Sequence, residues 1–147
     1  MRYMNNRSPQ SGGRHAVSLT AHVASTACEA TSVSSLTEPG GTGLLRLSGE
    51  FDQDAAPQVR EALSTVRAVG ARRTIVDLSG VVFADSSLLH VLLSAREEHA
   101  LVLAGPLHSQ LQRLFELTGT AGLFTFAEDP EAARLLPPPS PGEGVPG

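Results

Sequence analysis

The sequence predicts an α/β domain built on a mixed sheet of four to five strands, with about four helices packed mainly on one face. Three observations carry that expectation. Short apolar runs alternate with segments of helical apolar spacing, in the order β(β)αβαβαβα. Strands joined through helices require parallel pairing, because a parallel crossover needs a dozen or more residues. The apolar density is concentrated in residues 31–136, which is enough chain to bury a core. Residues 1–30 are rich in Ser, Thr, Asn and Gly without a sustained apolar period, so they are expected to be disordered. The last eleven residues, 137–147, hold five of the ten prolines, which predicts an extended, disordered tail.

Each element has a local cause. Residues 43–48 place Leu44, Leu45 and Leu47 in a short apolar strand, and Glu38-Pro39-Gly40-Gly41 before it is turn chemistry. Residues 31–36 are its expected hairpin partner, with 16–24 as an alternative first strand. Pro57 suits the first turn of a helix, with Asp54 as the expected cap. Val59, Leu63, Val66 and Val69 follow at helical spacing until Gly70. Residues 74–78 predict a buried strand ending near Ser79 and Gly80, followed by the apolar piece Val81-Val82-Phe83. A second helix begins at Asp85-Ser86-Ser87 and runs to about His99; it is apolar nearly all round its first turns, which predicts deep burial. Residues 101–104 predict a central strand closed by Gly105-Pro106. Leu107, Leu111, Leu114, Phe115 and Leu117 mark a third helix, expected to bury these residues and to stop at Gly119. Residues 123–126 predict another strand, and Asp129-Pro130 opens a last short helix ending at Leu136.

Composition narrows the function. Eleven basic residues against fifteen acidic ones give a net charge of −4, without the basic footprint of a nucleic-acid binder. Five Phe, one Tyr and no Trp leave little for base stacking. Every basic residue is Arg, which excludes a P-loop lysine, a Schiff-base lysine and a phosphoaspartate receiver built on Asp77, since a receiver needs a late Lys. Cys28 is the only cysteine, so neither an intramolecular disulfide nor a Cys-based zinc site is expected. His15, His22, His90, His99 and His108 fall at no chelating spacing, and no metal or cofactor is expected. Arg72, Arg73, Arg96 and the pair Glu97-Glu98 read as surface charges. The longest nearly apolar run, 81–95, is broken by polar residues, and the N-terminus lacks a signal-peptide core; the chain reads as cytoplasmic, off the membrane.

The most informative segment is residues 77–89, DLSGVVFADSSLL. It places an Asp and two hydroxyls at the start of a buried helix. One reading is capping, in which Asp or Ser accepts hydrogen bonds from the first backbone N–H groups. The other uses the same physics for chemistry. A helix N-terminus tolerates a phosphate, so a Ser there can accept a phosphoryl group without unfolding the domain. That adds about −1.5 to −2 charges at one surface point.

At these residues the chain resembles the STAS domains of bacterial anti-sigma-factor antagonists. Gly49-Glu50-Phe51-Asp52, followed by Ala55-Ala56-Pro57 and a helix, is similar to that family's G-E-[LI]-D segment. Residues 77–89 are similar to its D-L-S-x-V-x-F-x-D-S-S-G-L motif, and Leu114-Phe115-Glu116-Leu117-Thr118-Gly119 with Leu123-Phe124 is similar to its R-L-F-x-x-T-G-L-x-x-x-F ending. The likeness spans about residues 31–136.

The resemblance implies a STAS-type fold and a non-enzymatic module. Such a module binds a GHKL-type anti-sigma serine kinase while unphosphorylated, which frees a sigma factor. Carried over by position, Ser86 is the phosphoacceptor, and a PPM-type phosphatase resets it. Asp52 and Asp85 are its acidic neighbours. The partner surface is expected to include them with Ser87 and an apolar rim of Leu88 and Leu89. The chain departs from the family at Leu88, where a Gly is usual; a bulky side chain beside Ser86 either hinders a kinase or anchors a different partner. The alternative is an accessory or scaffold subunit of a transporter or sensor complex with a relic, unphosphorylated site. A small serine hydrolase, the third reading, lacks the G-x-S-x-G elbow and offers only His90, one helical turn past Ser86.

Overall fold

The computed structural model describes residues 31–139; the expected disordered segment 1–30, the alternative strand at 16–24 and residues 140–147 of the expected tail lie outside the described residues. Five strands form one mixed sheet in the order β1-β2-β3-β4-β5. The strands are β1 (Ser32–Glu38), β2 (Thr42–Phe51), β3 (Arg73–Ala84), β4 (Leu101–Ala104) and β5 (Thr125–Ala127). The helices are α1 (Ala56–Ala68), α2 (Ser86–Glu98), α3 (Ser109–Thr118) and α4 (Pro130–Leu135), with a 3-10 turn at Ala121–Leu123. β1 and β2 form the antiparallel hairpin, turned through Pro39, Gly40 and Gly41; every other pairing is parallel, as helical crossovers require.

The alternation of side chains along each strand divides the apolar residues between two layers. Leu45, Leu47, Phe51, Val76, Leu78 and Leu103 face α1, α2 and α3 in the main core. Leu44, Ile75, Val102 and Ala104 face the other way and are covered by Ala133 of α4. Among the described residues the helices therefore lie mainly on one face, with α4 alone on the second. α3 is anchored by a trio of rings: Phe115 meets Phe124 and Phe126 edge-on, with centroids 5.6 and 5.2 Å apart.

Several local expectations are corrected. β3 is one strand of twelve residues, where the sequence suggested a break after Leu78. It survives its polar centre because Asp77 accepts from the Ser79 N–H and hydroxyl (3.0 and 2.8 Å) and meets Arg46 at 3.4 Å. Two register shifts against β2 absorb the extra residues. The fifth strand starts at Thr125, since residues 121–123 close a 3-10 turn and Phe124 points into the core. Leu117 is 76 % exposed, because Leu111 and Phe115 already occupy the buried side of α3. Val69 is likewise outside, at the C-cap of α1.

The most consequential correction concerns Leu88 and Leu89. They are 0 % and 3 % exposed, so they are core residues and form no partner-facing rim. On the second helix they follow Asp85 and Ser86 by three residues, which turns them beneath the cap and into the main core with Val81, Ala84 and the apolar sides of α1 and α3.

The end of the sheet where β3 starts is wired by arginines. Arg73 lies half-buried and is no loose surface charge: its guanidinium donates to the carbonyls of Ala133, Arg134 and Leu136, which closes the C-terminus of α4. Arg134 returns a two-pronged pair to Glu38 at the end of β1, at 3.0 and 2.6 Å. That hydrogen-bonded pairing holds the Glu38 carboxyl below its ordinary value, against the opposing effect of burial.

Candidate functional site

The opposite end of the sheet carries the sequence-predicted site. β2 and β3 end side by side, with Phe51 in register with Ala84. Asp52 and Asp85 are the next residue on each strand, and the Asp85 N–H donates to the Phe51 carbonyl at 3.1 Å. The parallel register thus places the two acids on neighbouring strand ends, which the sequence alone could only suggest. Gly49 prepares this end. Its φ of 106° lies in the left-handed region that glycine adopts without strain, at a register shift that brings Glu50 opposite Phe83.

Each acid has a local structural task. Asp85 is the N-cap of α2, and its Oδ1 accepts the Ser87 N–H at 2.8 Å. Asp52 takes the role expected of Asp54. Its Oδ1 accepts the N–H groups of Asp54 and Ala55 at 3.0 and 3.2 Å, which folds the turn into α1, while Asp54 is exposed and Ala55 occupies the N-cap without a side-chain bond. Capping and function are therefore not rival readings of these residues. The same bonds that start the two helices fix both carboxylates at the surface end of the sheet.

Ser86 is the first residue of α2 and is exposed; Ser87, behind it, is half-buried with its N–H committed to Asp85. Leu88 follows with its side chain wholly inside. The bulk that stands in place of the family's usual glycine is thus absent from the surface around Ser86. His90, one turn along, is exposed.

Two features of this end escape a sequence reading. Val82 and Phe83 are 49 % and 41 % exposed and precede Asp85 on β3. They are an apolar surface pair at the register shift between Gly49 and Glu50, which no spacing rule announces. The other feature is Gln110 of α3, whose amide reaches across to the Ala84 backbone. A lone Gln on a helix gives no sequence signal. Among the described residues no group of three or more His, Cys, Asp or Glu could hold a metal ion, and no helix is long and apolar enough to cross a membrane.

Comparisons with known proteins agree with this geometry. The family described as "Mlab, STAS domain" matches residues 34–125, well over half of the chain. No curated protein sequence matches. Among solved structures, an anti-sigma factor antagonist from Mycobacterium paratuberculosis is similar over 69 % of this chain and 91 % of its own, with a TM-score of 0.61 and 25 % identity. The Bacillus cell fate determinant SpoIIAA in its phosphorylated form is similar over 69 % of this chain and 96 % of its own, with a TM-score of 0.53 and 25 % identity. The anti-sigma factor antagonist SpoIIAA in its unphosphorylated form shares the fold at 22 % identity, over 70 % of this chain and 94 % of its own, with a TM-score of 0.54.

Proposed function

Since the chain belongs to the STAS domain family, we propose that it is an anti-sigma-factor antagonist, a binding module with no catalytic role of its own. Its partner in this reading is a GHKL-type serine kinase that serves as the anti-sigma factor in the cytoplasm. The unphosphorylated chain occupies the kinase and the sigma factor goes free. The kinase transfers a phosphoryl group from its ATP to the Ser86 hydroxyl, the complex parts, and a PPM-type phosphatase restores the binding form. Mg²⁺ and nucleotide belong to the kinase.

One observation carries the reading: Ser86 is exposed at the first turn of α2, beside two strand ends that fix Asp52 and Asp85. The physics of the switch follows. The helix N-terminus accommodates the added charge, so the domain stays folded. The same charge sits beside Asp85 at the sheet end that also carries Asp52, with Val82 and Phe83 exposed on the last residues of β3. A phosphate there adds like-charge repulsion and a desolvation cost to the bound state only. The interface residues are then Asp52, Asp85, Ser86 and Ser87 with Val82 and Phe83, while Leu88 and Leu89 act from beneath. With Leu88 turned inward, the steric argument against phosphorylation of Ser86 loses its footing; capture of a transporter or sensor subunit in place of a kinase would favour the accessory or scaffold reading.

Capture from native cytosol, with and without Mg-ATP and read by mass spectrometry, tests the proposal. Wild type should capture a GHKL-type kinase and release it with ATP as Ser86 gains a phosphoryl group. Ser86→Asp should bind that kinase roughly 5- to 150-fold more weakly by calorimetry. Equal affinity of the two forms, or phosphoryl uptake undiminished in Ser86→Ala, sinks it.

A further inference from the structure

We infer that Gln110 is the positioning residue of the Ser86 segment. The inference rests on the reading of Ser86 as phosphoacceptor and adds the group that holds it in place. β4 pairs with β3 only from Thr74 to Asp77, so the far part of β3, leading to the site, runs beyond its neighbour's end. Successive residues of a strand aim their backbone groups at opposite edges. At Asp85 the N–H faces β2 and is taken by the Phe51 carbonyl. At Ala84 the N–H and carbonyl face the other edge, where no strand of the described residues lies alongside.

Gln110 fills that place. Its Oε1 accepts the Ala84 N–H at 3.0 Å, and its Nε2 donates to the Ala84 carbonyl at 3.0 Å. This is the two-bond exchange of a paired strand residue, supplied by one side chain. The residue type is demanding: the group must carry a donor and an acceptor on one planar end, which an ionised Glu lacks and which Asn offers one methylene short. The support is rigid as well. Leu111 and Phe115 of α3 are buried, and Phe115 is seated against Phe124 and Phe126. The two residues immediately before Ser86 are thereby held from both edges, by β2 on one side and by α3 on the other. A kinase that must align the Ser86 hydroxyl with a phosphoryl group meets a segment already in place, and any loss of that order lowers the competent fraction and raises the apparent KM.

The test compares the full chain with Gln110→Ala and Gln110→Glu. Amide exchange at Ala84 needs no kinase; its protection should fall about tenfold in both variants at pH 7, with Ile75 and Val76 unchanged. Below about pH 4 the acid of Gln110→Glu is protonated and again offers one donor and one acceptor, so Ala84 protection should return there and stay low in Gln110→Ala. A residue that merely supports the fold would show neither the confinement nor the acid rescue. With a GHKL-type kinase and Mg-ATP, the variants should show a KM for the chain raised about tenfold at pH 7 and a nearly unchanged kcat. Undiminished Ala84 protection in Gln110→Ala, loss spread along β3, or an unchanged KM overturns the inference. If wild-type Ser86 accepts no phosphoryl group, the functional reading fails by itself, and the exchange data alone then decide whether Gln110 holds the segment.

Discussion

The two ends of the sheet are built on opposite plans. Where β3 begins, cations face inward: Arg73 closes the carbonyl end of α4, and Arg134 grips Glu38 through two bonds across nearly a hundred residues of sequence. Where β3 ends, carboxylates are fixed at the surface, each by N–H groups of its own turn, and an apolar pair stands exposed beside them. The first end joins distant parts of the chain and leaves little to read. The second holds its carboxylates locally and leaves Ser86 and its neighbours for another molecule. A charge added at the first end would meet a completed network; at the second it changes only the surface. The contrast teaches where a modification can act without endangering the fold.

The largest expected effect probes the boundary between those plans. Leu88 lies directly behind the exposed Ser86 yet belongs entirely to the core. Leu88→Ala should destabilise the domain by about 2–5 kcal/mol in urea unfolding, the cost of a cavity in a packed interior. Leu88→Gly, which restores the residue usual in the family, should cost about 1 kcal/mol more through helix propensity. A change below about 0.5 kcal/mol in Leu88→Ala would mean that the side chain is at the surface after all, and the steric objection to phosphorylation would return.

How far the sequence foretold this molecule follows the same division. Element order and type were legible because helical and strand periods are local, and Asp85 was legible as a cap for the same reason. Asp54 was expected to cap α1 in place of Asp52 because the choice between two acids depends on the turn between them, and Arg73 was read as a surface charge because its partners lie some sixty residues away. Leu88 and Leu89 were placed on a rim because an all-round apolar helix start does not say which side faces out; only the angle at which Asp85 begins α2 decides it. Val82 and Phe83 depended on a register shift, and Gln110 on a helix crossing the end of a strand. Neither leaves a mark in spacing.

A smaller effect tests the arginine-wired end. Arg134 lowers the Glu38 carboxyl by hydrogen bonding, so the folded state releases that proton more readily than the unfolded chain. The stabilisation is therefore present above the unfolded carboxyl value of about 4.3 and is lost as pH falls through the lower folded value. The pair is partly open to water, which keeps the contribution under about 1 kcal/mol. Glu38→Gln should lower the urea midpoint at pH 7, and its difference from wild type should shrink as pH falls through the carboxyl range. A difference that persists in acid would assign the effect to packing, and one absent at pH 7 would mean that water has already screened the pair.

The smallest expected effect is the most discriminating. Ser86→Glu adds a negative charge at the first turn of α2, where the helix dipole favours it and Asp85 opposes it. The two influences are of similar size, and the side chain is exposed, so unfolding free energy should change by no more than about 0.5 kcal/mol. The same substitution is expected to weaken kinase binding far more, because only the bound state removes water from that charge. A loss of 2 kcal/mol or more in stability, about the size of a core lesion, would show that the Ser86 end is part of the structural wiring, and a phosphoryl group there would act by unfolding the domain. Near-zero cost with weakened binding is what separates a surface that signals from one that supports, and it places the whole energetic consequence of the charge in the complex.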